Sequence, residues 1–330
     1  MLQTKDIAVV ILNWNGKTLL EQFLPLVIKY SDDAKIYVAD NASTDDSVTF
    51  VSAHFPNVGL IQNSQNGGYA KGYNEALHQV NEPLLCLLNS DIEVTENWLQ
   101  PVVKEFNSDP DAAIIQPKIL DHKSKSYFEY AGAAGGFIDK YGYPFCRGRI
   151  FDTIEEDKGQ YNDTKDIFWA SGACFFIRSS VFKALKGFDE SYFAHMEEID
   201  LCWRAFNTGH KTKYIGASTV YHVGGATLSN TNPKKTYLNF RNSLFTLVKN
   251  TDSNVFFRTV IRMKLDGIAA IRFLFQLKPR YCFAILKAHA SFYMNIGRLL
   301  KQRKQLPKRP KYYETDSIVW SYFIKKRTKF

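Results

Sequence analysis

A carboxylate at the end of an apolar strand is the first residue whose position suggests chemistry. Asp91 follows the apolar residues 84–88 almost directly, in the segment Asn89-Ser90-Asp91. An acid at the end of a buried strand costs free energy unless it has a ligand or a polar partner. A divalent cation that bridges the carboxylate and a phosphate group would be such a ligand. A cap on the following turn is the structural alternative.

Three further acids, Glu197, Glu198 and Asp200, stand close together at the start of a segment with helical spacing. Apolar and aromatic residues flank them on both sides, from Tyr192 to Trp203. A carboxylate in apolar surroundings has a raised pKa, which is what a general base needs in order to accept a proton. Acids in a first helical turn also interact favourably with the helix dipole, and this is the alternative without chemistry.

Two more functional groups lie at predicted strand ends. His222 ends an apolar segment and precedes two glycines, so it is either a metal ligand or a structural histidine. Asp40 ends another such segment and precedes Asn41. Its carboxylate can accept a hydrogen bond from the imide N–H of a uracil or thymine ring. Alternatively, it closes an Asx turn before the next helix.

A glycine-rich loop, Asn66-Gly67-Gly68, leads into a predicted helix that carries Lys71. Glycine lets the backbone approach a ligand closely. The loop is neither a G-x-G-x-x-G after the first strand nor a G-x-x-x-x-G-K-[ST] motif. A dinucleotide site of the Rossmann type and a P-loop nucleotide site are therefore both unsupported.

Alternating strands and helices in the first hundred residues must position these groups. Apolar runs predict strands at 7–12, 35–39, 58–62 and 84–88, and helical spacing predicts helices at 19–30, 47–54 and 69–79. This order implies a parallel sheet with right-handed crossovers. Polar residues follow the first, second and fourth strands at once. Because ligands bind outside the carboxyl ends of such strands, we expect one shared pocket there.

The rest of the chain is less regular and then helical. We expect loops or short hairpins at 127–148, a loop at 152–165, strands at 168–178 and 213–222, and a helix at 197–208. From residue 229 onwards helical patterns dominate. The predicted organisation is a domain at 1–228, with a nucleotide-binding half at 1–105 and an acceptor and catalytic half at 106–228. A helical, basic region at 229–330 follows it.

The composition is that of a globular protein. Of the 330 residues, 45% are hydrophobic and 23% are charged, which excludes a disordered chain and a small disulfide scaffold. The five cysteines are scattered without a C-x-x-C, which indicates reduced thiols in a cytosol-like compartment. There is no signal-peptide pattern and no apolar run of the ~18 residues that a membrane span needs. We therefore expect a cytoplasmic protein.

The net charge of +9 lies mostly at one end of the chain. Residues 301–330 hold ten Lys or Arg and two acids, which leaves the remainder near neutral. A body without a basic stripe argues against a nucleic-acid partner. The basic tail and the amphipathic spacing at 261–275 favour a peripheral contact with an anionic membrane surface. A helical region that packs on the catalytic body, with a solvated basic end, is the alternative.

In their order along the chain these segments resemble the family 2 glycosyltransferases, which have the GT-A fold, and especially their rhamnosyltransferase-like branch. The resemblance covers residues 7 to about 245 and is carried by segments 9–16, 38–45, 66–74, 88–91, 172–174, 187–190, 193–204, 221–222 and 239–242. It implies an α/β fold with a mostly parallel, Rossmann-like sheet flanked by helices and a C-terminal helical extension.

The resemblance also implies a role for each candidate residue. A nucleoside diphosphate sugar, with dTDP or UDP as the nucleotide, would be held by Asn13, Asn15, Asp40, Asn66, Gly67, Lys71 and Asn89. Asp91 and His222 would bind Mg²⁺ or Mn²⁺ across the diphosphate. Glu198, or Glu197 beside it, would deprotonate a hydroxyl group of a glycan or lipid-linked acceptor. One displacement would then invert the anomeric carbon.

Two positions depart from the family pattern. Asn89 replaces the first acid of the D-x-D motif, so fewer charges hold the metal, and Glu198 is one methylene longer than the expected aspartate. Two other functions are alternatives. A sugar-phosphate nucleotidyltransferase would have an arginine-containing, glycine-rich loop after the first strand, where this chain has Asn13-Trp14-Asn15-Gly16. A non-catalytic nucleotide- or glycan-binding protein would not need the acids named above.

Overall fold

The structure is a computed structural model that describes residues 1–224 and 232–330. Strands and helices alternate in the first part of the chain: β1 (Ile7–Asn13), α1 (Lys17–Tyr30), β2 (Lys35–Asp40), α2 (Ser47–His54), β3 (Gly59–Gln62), α3 (Gly68–Leu77), β4 (Leu84–Asn89), β5 (Ile92–Val94) and α4 (Gln100–Ser108). The strands and helices predicted for this part are all present, with ends within two residues of the prediction. The short strand β5 was not predicted.

The second part contains more strands than the sequence indicates. In chain order its elements are β6 (Ala112–Asp121), β7 (Gly136–Ile138), β8 (Pro144–Cys146), β9 (Arg149–Ile150), β10 (Thr153–Ile154), β11 (Thr164–Ile167), β12 (Cys174–Arg178), α5 (Ser179–Ala184), α6 (Glu197–Asn207) and β13 (Lys211–His222). Four helices follow: α7 (Pro233–Asn250), α8 (Val255–Phe275), α9 (Pro279–Gln305) and α10 (Ile318–Phe323).

Within the described residues nine strands form the main sheet. Its order is β11-β13-β6-β12-β4-β1-β2-β3, and β5 pairs with β13. The strands β4, β1, β2 and β3 are mutually parallel, as predicted for the first half. Strand β12 runs antiparallel between β4 and β6, so the sheet is mixed beyond β4.

Alternate residues of β1 pack into cores on opposite faces of the sheet. Val9 lies in a cluster with Leu20 of α1 and Val102 of α4. Val10 lies in a second cluster, which includes Trp203 of α6. Burial on both faces explains why β1 is an unbroken apolar run. It also fixes the position of the polar residues that follow the strand.

Loops or short hairpins were predicted at 127–148, and β7 and β8 form an antiparallel hairpin there, as part of a small four-stranded sheet, β7 to β10. Strand β12 begins at Cys174, so the strand predicted from residue 168 is too long. The residues before it form a buried connection instead. The Trp169 indole Nε1 donates a hydrogen bond to the Phe137 carbonyl at 2.7 Å, and the Ser171 amide donates to Gln116 Oε1 at 2.8 Å.

The C-terminal helices pack directly on residues 106–224. Lys249 of α7 is buried, and its Nζ lies 2.6 Å from Asp189 Oδ2 and 3.0 Å from Asp200 Oδ1. The tail also packs on the body. Tyr312 is buried with its ring centroid 4.4 Å from that of Trp203. The predicted boundary between residues 228 and 229 lies outside the described residues.

Helix α8 is amphipathic, but its polar side faces the protein. Arg262 and Asp266 are buried and form an ion pair at 2.8 Å. Ile268, Ile271 and Phe275 on the opposite side are exposed. In residues 1–224 and 232–330 there is no helix whose length and apolarity together would suffice to span a membrane.

Candidate active site

The ends of β1, β2 and β4 lie side by side and bring three predicted residues together. Asn13 is in register with Asp40, and Leu12 with Asn89. The buried Asn13 side chain donates to Asp40 Oδ1 at 3.1 Å, and the Ser43 amide donates to Asp40 Oδ2 at 2.9 Å. The Asx-type turn is therefore present. Asn13 is fully buried, so its visible role is to hold the Asp40 carboxylate.

Asn15 holds the loop beside this carboxylate. Its backbone is left-handed, with φ of 51°, and its side-chain Oδ1 accepts a hydrogen bond from the Thr44 amide at 2.7 Å. The Asn15 amide donates to Ser43 Oγ at 2.8 Å. The loops after β1 and β2 are thus tied together beside the Asp40 carboxylate.

The glycine-rich loop joins this edge to the segment before α6. Asn66 Oδ1 accepts hydrogen bonds from the Gly68 amide at 3.0 Å and from Asn41 at 3.1 Å. Gly68 has a φ of +77°, and a Cβ there would collide with the Phe193 carbonyl oxygen. The next residue, Tyr69, donates its amide proton to that carbonyl at 2.8 Å.

Lys71 lies on the first turn of α3, beside Gly67. A Cβ at Gly67 would overlap the Lys71 side chain, so glycine is needed there. The Lys71 ammonium group is partly exposed and lies 3.5 Å from Glu75. It can therefore turn toward an anionic ligand at small cost, because a partly exposed ion pair contributes little stability.

Asp91 and His222 lie next to each other because β5 pairs with β13. The pairing places His222 opposite Ile92, and the Val223 amide donates to the Asp91 carbonyl at 3.1 Å. His222 Nε2 lies 3.2 Å from Asp91 Oδ1. Its Nδ1 lies 3.3 Å from Glu129 Oε1, a residue that the sequence did not indicate.

The three side chains of this corner are buried. Burial disfavours the imidazolium form of His222, but hydrogen bonds with Asp91 and Glu129 outweigh it and raise its pKa to about 10. A carboxylate oxygen suits both Mg²⁺ and Mn²⁺, whereas an imidazole nitrogen suits the transition metal Mn²⁺ better than Mg²⁺. A carboxylate on the other ring nitrogen is the usual way to orient a histidine that binds a metal. Among the described residues no group of three or more acids, histidines or cysteines is arranged to hold a metal. Diphosphate oxygens would have to complete the coordination.

Glu197 and Glu198 begin α6, where the prediction placed them. Burial, and secondarily the neighbouring Glu198 charge, raise the pKa of Glu197 well above its usual value. Burial raises the pKa of Glu198 to about 7, against hydrogen bonds from nearby backbone amides. The Oε2 atoms of both have no hydrogen-bond partner in the described structure. Burial thus raises the pKa of both glutamates, as a carboxylate that accepts a proton near neutral pH requires.

The third acid of this group has a structural role. Asp200 is fully buried and lies 2.8 Å from Arg204 Nε and 3.0 Å from Lys249 Nζ. The side chain of Asn250 donates a further hydrogen bond to it at 2.8 Å. These charges lower the pKa of Asp200 although burial opposes them, so it stays ionised.

The segment before Glu197 is held in an unusual backbone conformation by helix α7. Phe193, His195 and Met196 all have positive φ, between 65° and 73°. The buried side chain of Asn242 donates to the carbonyl oxygens of Tyr192, Ala194 and His195, at 3.1, 3.0 and 2.7 Å. Arg241 donates to two carbonyl oxygens of the same segment, both at 3.0 Å. Residues 239–242 belong to the segments that carry the family resemblance, but this structural role was not predicted.

Cys146 is a buried thiol in contact with Arg149. Burial raises the pKa of Cys146 to about 11, and Arg149 beside it acts in the opposite direction. The charges of Glu129 and Glu198 both add to the increase.

A family model described as glycosyl transferase family 2 matches residues 8–186. The chain belongs to glycosyl transferase family 2. It is therefore an enzyme, a glycosyltransferase, and the predicted family is confirmed. The alternatives of a nucleotidyltransferase and of a non-catalytic binding protein are set aside.

Several curated family 2 enzymes are similar to this chain. The N-acetylglucosaminyl-diphospho-decaprenol L-rhamnosyltransferase of Mycobacterium tuberculosis is 25% identical over 66% of this chain and 76% of its own length. The low-salt glycan biosynthesis hexosyltransferase Agl10 of Haloferax volcanii is 23% identical over 84% and 87%. The rhamnosyltransferase WbbL of Escherichia coli is 27% identical over 57% and 72%. These relatives support the rhamnosyltransferase-like branch.

Solved glycosyltransferase structures share the fold. GalNAc-T7 with UDP, GalNAc and Mn²⁺ has a TM-score of 0.58 at 18% identity, over 74% of this chain and 48% of that one. The mannosyltransferase PcManGT from Pyrobaculum calidifontis, with GDP-Man and Mn²⁺, has a TM-score of 0.55 at 11% identity, over 88% and 87%. S. aureus TarS 1–349 with UDP-GlcNAc has 0.55 at 13%, over 91% of each chain. The predicted GT-A fold is confirmed.

Proposed function

We propose that this enzyme transfers a sugar from a nucleoside diphosphate donor to a hydroxyl group of a glycan or lipid-linked acceptor, with inversion and with a divalent metal ion. The observation that carries this proposal is the presence of two groups of acids, one at the strand ends and one at the start of α6. Asp91 lies beside His222. Glu197 and Glu198 follow a segment in which the Phe193 carbonyl accepts a hydrogen bond from the Tyr69 amide, next to the glycine-rich loop. Because two relatives are rhamnosyltransferases, we favour a dTDP- or UDP-linked sugar such as rhamnose, and a place in cell-envelope polysaccharide synthesis.

The donor half holds the nucleotide. Asp40 accepts two hydrogen bonds from the protein, one on each oxygen, and each oxygen has a further lone pair for the imide N–H of a uracil or thymine ring. Asn15 and Asn66 shape the loops on either side of it. Lys71 is placed to approach the phosphates.

The diphosphate needs positive charge beside the acids. Asp91 and His222 would hold Mg²⁺ or Mn²⁺, which neutralises charge on the leaving diphosphate as a Lewis acid. Asn89 stands where the family's D-x-D motif has its first acid, so Asp91 is the single carboxylate that this motif contributes. GalNAc-T7 and PcManGT were crystallised with Mn²⁺, which supports a metal-dependent reaction here.

Glu198 takes the proton of the acceptor hydroxyl group. Its pKa of about 7 keeps a substantial fraction ionised at neutral pH, and its Oε2 has no partner in the described structure. A positioned base of this kind contributes about 10²–10⁴-fold to the rate. One base without a protein nucleophile implies a single displacement, which inverts the anomeric carbon.

The proposal is tested with nucleotides and two substitutions. Thermal stabilisation by dTDP or UDP that requires Mn²⁺ is expected, and Asp91→Ala should abolish it. Glu198→Gln should retain this stabilisation and lose at least about 10²-fold in transfer. Glu190→Gln, at an exposed acid shortly before α6, is the control and should transfer normally. Unchanged transfer by Glu198→Gln, or stabilisation by NAD alone, would refute the assignment.

We place the membrane contact on α8 rather than on the tail. Its outward side carries Phe257, Ile261, Ile268, Ile271 and Phe275, all exposed and not covered by any part of the chain that the structure describes. The basic residues on this side are Lys264 and Arg272. Residues 253–305 include one acid, Asp266, which is buried. An apolar stripe with basic residues and without exposed acids suits an anionic lipid surface better than a second copy of itself.

Vesicle sedimentation tests this contact. The wild-type chain should bind vesicles of phosphatidylcholine and phosphatidylglycerol in equal parts, and Ile268→Glu/Ile271→Glu should lose at least about tenfold in partitioning. Ile28→Glu makes the same change at an exposed isoleucine of α1 and should have no effect. Equal binding by the double variant, or a dimer that it dissociates, would contradict the proposal. Point variants are preferable to truncation at residue 300, which would remove the buried Tyr312.

A further inference from the structure

Arg149 is a buried arginine without an acidic partner in the described structure. It is 8% exposed, and its guanidinium contacts the Cys146 sulfur at 3.6 Å and the face of the Tyr130 ring at 4.4 Å from the centroid. Its Nε is buried and has no hydrogen-bond partner among the described residues. Residues 225–231, which lie outside the description, include no acid.

The other buried arginines differ from it in one respect. Each of them has a carboxylate within 2.8 Å: Arg147 with Asp163, Arg204 with Asp200, Arg258 with Asp252, and Arg262 with Asp266. An arginine cannot lose its proton at accessible pH, and burying its charge is costly unless an anion compensates it. In the described structure four buried arginines have a carboxylate partner and Arg149 has none. This difference indicates that the anion that compensates Arg149 is a ligand.

The location of Arg149 connects it with the reacting groups. Tyr130, on which the guanidinium stacks, follows Glu129, the residue that contacts His222. Arg149 therefore lies near the corner that Asp91, His222 and Glu129 form.

We propose that Arg149 binds a phosphate group of a substrate diphosphate. A guanidinium group can donate two parallel hydrogen bonds to phosphate oxygens, and this interaction is stronger where water is excluded. This inference rests on the proposed function and adds a residue to its substrate site. The diphosphate belongs either to the sugar nucleotide or to a lipid-linked acceptor, and the same chemistry serves both.

The test uses stability and binding together. Arg149→Met removes an uncompensated buried charge, so the melting temperature of the ligand-free protein should rise by about 3 °C or more. The control Arg147→Met removes a charge that is paired with Asp163, and its melting temperature should fall. Affinity for a diphosphate should drop about 10- to 100-fold in Arg149→Met, and Arg149→Lys should recover part of it.

The probes separate the two sources of diphosphate. Titration with UDP and dTDP in the presence of Mn²⁺ represents the donor, and geranyl diphosphate represents a lipid-linked acceptor. Weakened binding of either probe supports the inference and identifies the source. A lower melting temperature in Arg149→Met, or unchanged affinity for every diphosphate that the wild type binds, would overturn it. Failure of the wild type to bind any diphosphate would instead refute the proposed function on which the inference rests.

Discussion

Replacement of Asn242 by alanine tests whether helix α7 holds the general base in place. Asn242 is the residue whose side chain contacts three carbonyl oxygens in the segment that precedes Glu197 and Glu198. In the described structure no hydrogen bond joins the Asn242 side chain to Glu197 or Glu198, so it has no direct part in proton transfer. We therefore expect its loss to act through the conformation of the segment.

The structure gives the size of this effect. A left-handed conformation costs roughly 1–2 kcal/mol for a residue other than glycine, so Phe193, His195 and Met196 together store roughly 3–6 kcal/mol. A buried carbonyl that loses its donor costs about 1–3 kcal/mol. Asn242→Ala should therefore lower the free energy of unfolding by about 2–3 kcal/mol. A relaxed segment would displace the base by about 1 Å, which costs on the order of 10² in kcat.

The assay measures kcat and donor affinity well below the melting temperature. Asn242→Ala should lose kcat and keep its Mn²⁺-dependent affinity for nucleotide, because Asp40 and Asp91 lie on the other half. The control is Asn207→Ala, a buried asparagine that donates to the Asn250 carbonyl at 3.0 Å, far along α6 from the glutamates. It should lose stability with a normal kcat. A normal kcat in Asn242→Ala would show that the segment keeps its conformation without α7.

Three further predictions concern titration, metal binding and the buried charges. Burial raises the pKa of Glu198 to about 7, so its reactive carboxylate form is lost as the pH falls. We therefore expect kcat to be level above pH 7 and to fall about tenfold per pH unit below it. A kcat that stays level through neutral pH would contradict this. Glu129→Gln should weaken Mn²⁺ binding by about 10- to 100-fold, since His222 loses the carboxylate that orients it. Electron paramagnetic resonance with nucleotide present measures this affinity, and an unchanged value would exclude an orienting role for Glu129. Asp200→Asn should lower the free energy of unfolding by about 3–5 kcal/mol in chemical denaturation, because the buried Arg204 loses the carboxylate with which it is paired, and Mn²⁺ affinity should not change.

The first half of the fold could be predicted because local pattern and tertiary position agree there. Each of its parallel strands is a short apolar run that a polar residue ends, as Asp40 ends β2. In the second half this agreement is lost. The residues from Phe168 to Ala173 are mostly apolar or small, which predicts a strand, but Trp169 is buried because it packs against the small sheet. Apolarity indicates burial and does not distinguish a strand from a buried connection.

The candidate site was predictable in its residue types and only partly in its arrangement. The order of motifs singled out Asp91 and His222, yet their contact depends on pairing between β5 and β13, and β5 is too short to recognise in advance. Glu129 lies in a segment rich in glycine, alanine and tyrosine, where no local period marks a site. Arg149 has no signal in the sequence at all, because what makes it unusual is the absence of a carboxylate partner in the described structure.

The buried charges around Asp200 are better explained by alignment than by stability. Removing ions from water costs about as much as their attraction returns, so such a cluster is weak evidence for a more stable fold. Its geometry, however, ties Arg204 of α6 and Lys249 of α7 to one carboxylate, at 2.8 and 3.0 Å. An apolar interface would tolerate sliding of the two helices, whereas these contacts specify one register. Asp200 lies two residues after Glu198 and Lys249 lies on the helix that carries Asn242, so the register that the charges fix is also the one that places the general base.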